Sequence, residues 1–231
     1  MSRRRLRARV LVVLLAMAAA PAVQAQTRTT PQPPRPMQPA PPREPVGFRG
    51  YAVLGMATLT AVDTFDALAG TRSRQTFGGG VQVTNLWRRL FADVGASVVS
   101  LDGERIFIDD GEVFDLGIPL EITMRPIDIA GGWRFTYARG RVSPYVGAGL
   151  TYLQYEETSE FSESGDDISE GKAGPLLLGG VDVHLWQWLH AGGELRYRRI
   201  GGILGDGGAS AAFGEDDAGG VSVAVRISVG R

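Results

Sequence analysis

An all-β chain, folded as an eight-stranded antiparallel up-and-down transmembrane β-barrel, is what the sequence predicts. Three observations carry the prediction. Apolar and polar residues alternate with a period of two from Gly47 almost to the last residue. The connections between alternating stretches are long and short by turns. Glycine, at 32 residues, is about twice its usual share, and every one of the 32 lies after residue 46. No segment beyond Gly47 has a convincing helical period, and no apolar run there approaches the ~18 residues of a spanning helix.

The first 46 residues are a different polymer. Arg3, Arg4, Arg5, Arg7 and Arg9 precede the apolar run Val10–Ala20, and small residues then offer cleavage after Ala25. This is the pattern of a Sec-type secretory signal, and the run is too short to span a bilayer as a helix. Cleavage would remove five arginines and no acids, leaving 19 basic and 25 acidic residues, a formal −6. Residues 26–46 hold eight of the chain's 13 prolines and read as an extended, disordered periplasmic linker.

Eight strands are expected at about 48–61, 75–86, 89–108, 112–138, 143–156, 175–186, 188–200 and 219–230. The last is the clearest, with Val221, Val223, Val225, Ile227 and Val229 against Ser222, Ala224, Arg226 and Ser228. Two strands meet in a long hairpin at Asp109-Asp110-Gly111. A three-residue closure there would pair Ile106 with Phe114 and Val98 with Ile122. In the fourth strand the apolar series Phe114, Leu116, Ile118, Leu120, Ile122 and Met124 is even-numbered, but Ile127, Ile129, Trp133, Phe135 and Tyr137 are odd. A β-bulge at Arg125-Pro126 is the expected cause of this slip, and a true turn there is the rival. Parity favours the bulge, because eight strands keep both chain ends on one side.

Alternation alone does not say which face is wet. Export, a polar face mixing charges with glycines, and long loops opposed to tight turns all favour lipid outside. All four tryptophans, Trp87, Trp133, Trp186 and Trp188, lie near the tight turns, with Phe91, Phe135 and Tyr145 close by, as an interfacial girdle would require. The charges Asp93, Glu121, Arg125, Arg134, Asp182, Glu194, Arg196, Arg198 and Arg226 then face the lumen, where they must pair or be hydrated.

Pro144-Tyr145-Val146-Gly147-Ala148-Gly149-Leu150, the run Gly132-Trp133-Arg134-Phe135 and the alternating carboxyl-terminal strand resemble the small bacterial outer-membrane barrels of the outer membrane protein A and X type. The resemblance implies the outer membrane of a diderm bacterium, lipid and lipopolysaccharide as surroundings, insertion by the barrel-assembly machinery, and a monomer. The chain departs from it by ending Val229-Gly230-Arg231 without a terminal aromatic residue.

Several function classes fall away. With no cysteine there is no disulfide scaffold, thiol nucleophile or iron–sulfur cluster, and His184 and His190 are too few for a histidine-rich metal centre. A formal charge of −1 excludes a strongly basic nucleic-acid binder. No cofactor is expected. The leading reading is a non-enzymatic barrel with a structural or surface-interaction role and a lumen largely plugged by its charges. A narrow conduit for ions or small solutes is the alternative, and lipid A modification through Asp182, His184 and Glu194 is a further one. The acidic segment Glu156–Lys172 is expected to be a solvated loop, and Gly201–Gly220 a flexible exposed one carrying Ile203, Leu204 and Phe213.

Overall fold

The computed structural model describes residues 45–109, 112–159, 168–204 and 208–230. The signal segment with Ala25 and nearly all of the proline-rich linker lie outside them, as does the centre of the acidic loop.

Eight antiparallel strands close in sequence order. They are β1 (Gly47–Leu59), β2 (Ser73–Thr84), β3 (Leu90–Asp109), β4 (Glu112–Arg134), β5 (Val142–Ser159), β6 (Ile168–Trp186), β7 (Leu189–Arg198) and β8 (Gly220–Gly230). β1 pairs with β8 from Arg49↔Gly230 to Leu59↔Gly220, which shuts the sheet and leaves no free edge there. Two short helices, α1 (Val62–Ala69) and α2 (Gly208–Phe213), sit in the long connections, where the sequence reading expects none. Eight and six residues are too few to register as a helical period, and such helices depend on tertiary contacts.

The strand pairing corrects two expectations. No bulge falls at Arg125-Pro126: β4 runs against β5 through Arg125↔Gln154 and Pro126↔Leu153 without a break. On its other side, Ala96↔Ile127 and Val99↔Met124 share one register. The hairpin is tighter than three residues, since Asp109 pairs with Glu112, and Ile106 lies opposite Asp115 after a shift between Glu104 and Ile106.

What changes at Pro126 is the polarity of the two faces. Below it, outward Ile129 is 62% exposed while inward Asp128 is 1% exposed. Above it, inward Leu120, Ile122 and Met124 are buried, and outward Glu121 and Arg125 are exposed. Neighbouring strands agree. On β5, Leu150 points out and Thr151 in, but higher up Leu153 and Tyr155 point in while Gln154 points out. On β3 the inward residues pass from Asp93 to Val99 and Leu101. The half near the tight turns is therefore apolar outside and charged inside, and the half near the long loops is the reverse.

The outward belt of the first half includes Leu54, Phe77, Leu150, Leu177 and Val225, each more than half exposed. Such a continuous apolar surface is far beyond what a soluble monomer leaves in water. Its length along β8, from Val221 to Val229, matches the ~9–11 residues of a tilted membrane-spanning strand. Trp87, Trp186 and Trp188 rim it at the tight-turn end, and Tyr152 and Tyr197 lie outward at the other. Phe91 and Tyr145 do not join that rim: both are interior, their rings edge to face at 5.8 Å.

Candidate functional site

The polar and charged interior is built on inward positions of all eight strands. Glycines make room for it. A Cβ at Gly95 would lie 2.4 Å from the Tyr51 hydroxyl oxygen, and one at Gly180 would lie 2.5 Å from that of Tyr145. Only a hydrogen in place of the side chain lets these long residues cross the narrow lumen.

Three arginines and three carboxylates form a central cluster. Arg196 donates from Nε to Glu194 (2.7 Å), from Nη1 to Asp128 (2.6 Å) and from Nη2 to the Tyr51 hydroxyl (3.0 Å) and Asp93 (3.3 Å). Arg226, 1% exposed, donates to Glu194 at 2.6 Å and reaches Asp93 at 3.5 Å, with its guanidinium 3.7 Å from the Tyr51 ring centre. Arg198 grips Asp128 with two N–H groups at 3.0 and 2.6 Å. Tyr51 donates to Asp93, Tyr145 to Glu194, and the Gln82 amide to Asp93. Nearly every acceptor of the three carboxylates is thus occupied, which is what keeps such charges tolerable away from bulk water. A second, smaller cluster nearer the tight turns joins Arg134 to Asp182, with Arg49 3.7 Å away.

The sequence-based set divides accordingly. Asp93, Arg134, Asp182, Glu194, Arg196, Arg198 and Arg226 face the interior. Glu121 and Arg125 do not. Both are outward and exposed, and Arg125 pairs with Glu156 at 2.6 Å on the surface. They lie above Pro126, where the apolar face is the inner one, so an apolar-outside rule misassigns them. Arg49, Tyr51, Gln82, Asp128 and Tyr145 complete the interior and were not in that set. Asp128 is readable, since it sits between outward Ile127 and Ile129. Asp182, His184 and Glu194 do not form one constellation: each carboxylate is held by arginines, while His184 packs against His190 with centroids 4.7 Å apart and the rings tilted by 46°.

Above the charges lies an apolar core. Leu59, Val99, Leu101, Leu120, Ile122, Met124, Leu153 and Tyr155 line the wall, and Phe65 of α1 with Ile200 and Ile203 fills the space between them. The Gly201–Gly220 connection is therefore docked over much of its length. Ile203 is 1% exposed, Gly202 N–H donates to Asp216 C=O at 2.8 Å, and Asp217 accepts from the N–H groups of Ile200 and Gly219. Glu215 binds this connection to α1. Its carboxylate accepts from the backbone N–H groups of Val62, Asp63 and Thr64 at 2.9, 3.2 and 2.9 Å, the groups a helix start leaves unpaired.

Burial pushes the Glu215 carboxyl up, but those N–H donors outweigh it and hold it below the ordinary glutamate value. A depressed folded-state pKa means that the contribution is fully present above the unfolded-state value and is lost as pH falls through the folded one. Glu215→Gln is expected to weaken α1 by about 0.5–2 kcal/mol, the range for a lost N-cap. Amide exchange at Val62–Thr64, corrected for intrinsic rate, is expected to speed up in this variant at neutral pH and in the parent chain only in acid.

Free space around the central cluster and in the apolar core above it is small. A cavity of about 20 Å³ lies beside Tyr51, Glu194 and Arg196, and one of about 30 Å³ lies in the apolar core beside Met124 and Ile200. Since one water needs ~10–15 Å³ on this measure, neither has room for more than a few waters.

No protein-family model and no curated protein sequence matches the chain. Solved structures do. A major outer membrane protein from Thermus thermophilus aligns over 81% of this chain and all of its own length, with TM-score 0.56 and 11% identity. Neisserial surface protein A aligns over 80% of this chain and 96% of its own, with TM-score 0.48 and 13% identity. The Ail attachment invasion locus protein of Yersinia pestis, solved with the heparin analogue sucrose octasulfate, aligns over 80% and 97%, with TM-score 0.44 and 10% identity. Closed strand order, outward apolar belt and the Thermus likeness agree: the chain has the fold of the small eight-stranded barrels of bacterial outer membranes.

Proposed function

We propose that the chain is an integral outer-membrane barrel with a structural or surface-interaction role, its lumen plugged rather than open, and that it catalyses no reaction. The observation that carries this reading is the pairing of the central interior cluster, in which Asp93, Asp128 and Glu194 are taken up by Arg196, Arg198 and Arg226. Such a cross-linked cluster costs a great deal to open, because parting any pair strands a charge away from bulk water. The apolar core above it, roofed by α1, adds a second closure in series. The polar, acidic outer half then stands clear of the bilayer as a platform for contacts at the cell surface.

The conduit reading rests on the same charges taken as a hydrated path. Planar-bilayer recordings separate the two. The plugged reading expects no discrete conductance from the purified full chain, and none gained on Arg196→Gln with the barrel still folded. A discrete, ion-selective conductance that shifts with Arg196→Gln would replace the plug by the conduit.

A further inference from the structure

The central cluster is balanced, three carboxylates to three guanidiniums, but the cluster at the tight-turn mouth is not. There Arg49 and Arg134 share the single carboxylate of Asp182. Arg49 Nε and Nη1 and Arg134 Nε are buried without a hydrogen-bond acceptor among the described residues; Asp182 Oδ1 is likewise without a donor, and one carboxylate still faces two guanidiniums. Buried donors left unmatched in this way are costly.

Those arginines line a cavity of about 150 Å³ together with Thr84, Asn85, Arg89, Thr136, Gly140 and Ser143. That is about ten times the ~10–15 Å³ one water needs. The lining holds three guanidiniums and no carboxylate, and it adds the hydroxyls of Thr84, Thr136 and Ser143. Arg134 N–H donates to Arg89 C=O at 3.0 Å, which ties the two arginines on adjoining chain segments to one another. The turns around the mouth, with Arg88, Arg89, Arg139 and Arg141, raise the local positive potential further.

We infer that this mouth is a binding site for a small oxyanion of the phosphate class. Guanidinium groups from three segments match an anion that spreads its charge over several oxygens, and fork-shaped donors suit it better than they suit chloride. Arg49, Thr84, Arg134 and Ser143 occupy inward positions of their strands, so the anion enters from the aqueous mouth and not from the bilayer. A lipid headgroup carries the same phosphate chemistry and is separated by experiment.

The test is calorimetric titration of the full chain, folded in a maltoside detergent, with inorganic phosphate and separately with a soluble short-chain phosphatidic acid. Saturable binding of one phosphate is expected, weakened roughly tenfold by Arg49→Met and by Arg89→Gln and unchanged by Arg125→Gln on the outer wall. Arg89 is exposed at a turn, so its variant keeps the test alive if Arg49→Met does not fold. Absence of saturable phosphate binding overturns the assignment. So does equal weakening by Arg125→Gln, which would mean charge attraction alone, and so does binding of the phosphatidic acid without binding of inorganic phosphate.

Discussion

Replacing Arg226 by methionine is expected to remove about 3–5 kcal/mol from the stability of the barrel in detergent, whereas Arg125→Met is expected to remove less than about 1 kcal/mol. Both residues belong to short ion pairs, Arg226 with Glu194 and Arg125 with Glu156, each at 2.6 Å. Distance does not separate them. Arg226 is 1% exposed, touches two carboxylates and lies over the ring of Tyr51, so its loss leaves three acids facing two arginines in a space with room for little water. Arg125 and Glu156 stand in solvent, where breaking the pair returns two charges to water. Denaturant unfolding in micelles, read by heat-dependent gel mobility, measures the difference. Equal costs for the two variants would mean that the interior cluster is freely hydrated.

Val225→Arg is expected to cost about 2–4 kcal/mol in lipid and almost nothing in the barrel's own packing. Val225 is 61% exposed and pairs with Leu54 near the middle of the β1–β8 seam, so the added guanidinium meets no neighbour that must move. The whole penalty would come from the surrounding hydrocarbon. The same change at Val221 or Val229, toward the ends of β8, should cost progressively less as the side chain reaches the interface. A soluble barrel predicts the opposite, since an exposed valine facing water accepts arginine within about 0.5 kcal/mol. Unfolding in phospholipid vesicles across the three positions gives the depth profile.

How much was legible in advance follows from one physical limit. Alternation tells that two faces differ, and β8 could be placed from it because its outward face is apolar along its whole length. It does not tell which face is wet. In β4 the apolar residues move from even to odd positions at Pro126, which implies a bulge only for a wall with one solvent outside. The wall has two. Lipid meets it below Pro126 and water above, so the backbone keeps its register while the side chains exchange. An apolar-outside rule applied along the whole strand therefore puts Glu121 and Arg125 in the lumen, whereas Arg125 pairs with Glu156 in water.

Long-range packing was harder to foresee. Phe65 is wholly buried because Ile200 and Ile203 come from the far end of the chain to meet it, and Glu215 caps α1 from the same connection. A glycine-rich segment gives no local sign of that docking. Arg49 escaped because a lone arginine in β1 gives no sign that Arg134 and Asp182 lie across the lumen from it.

The exchange of faces at Pro126 is tested most directly on a single strand. The chain has no cysteine, so Ile129→Cys and Arg125→Cys each accept one fluorescent label at outward positions four residues apart on β4. In phospholipid vesicles the label at 129 is predicted to be quenched by brominated acyl chains and protected from iodide. The label at 125 is predicted to show the reverse. Lipid quenching at both positions, or iodide quenching at both, would contradict a wall whose apolar face turns from outside to inside at that level.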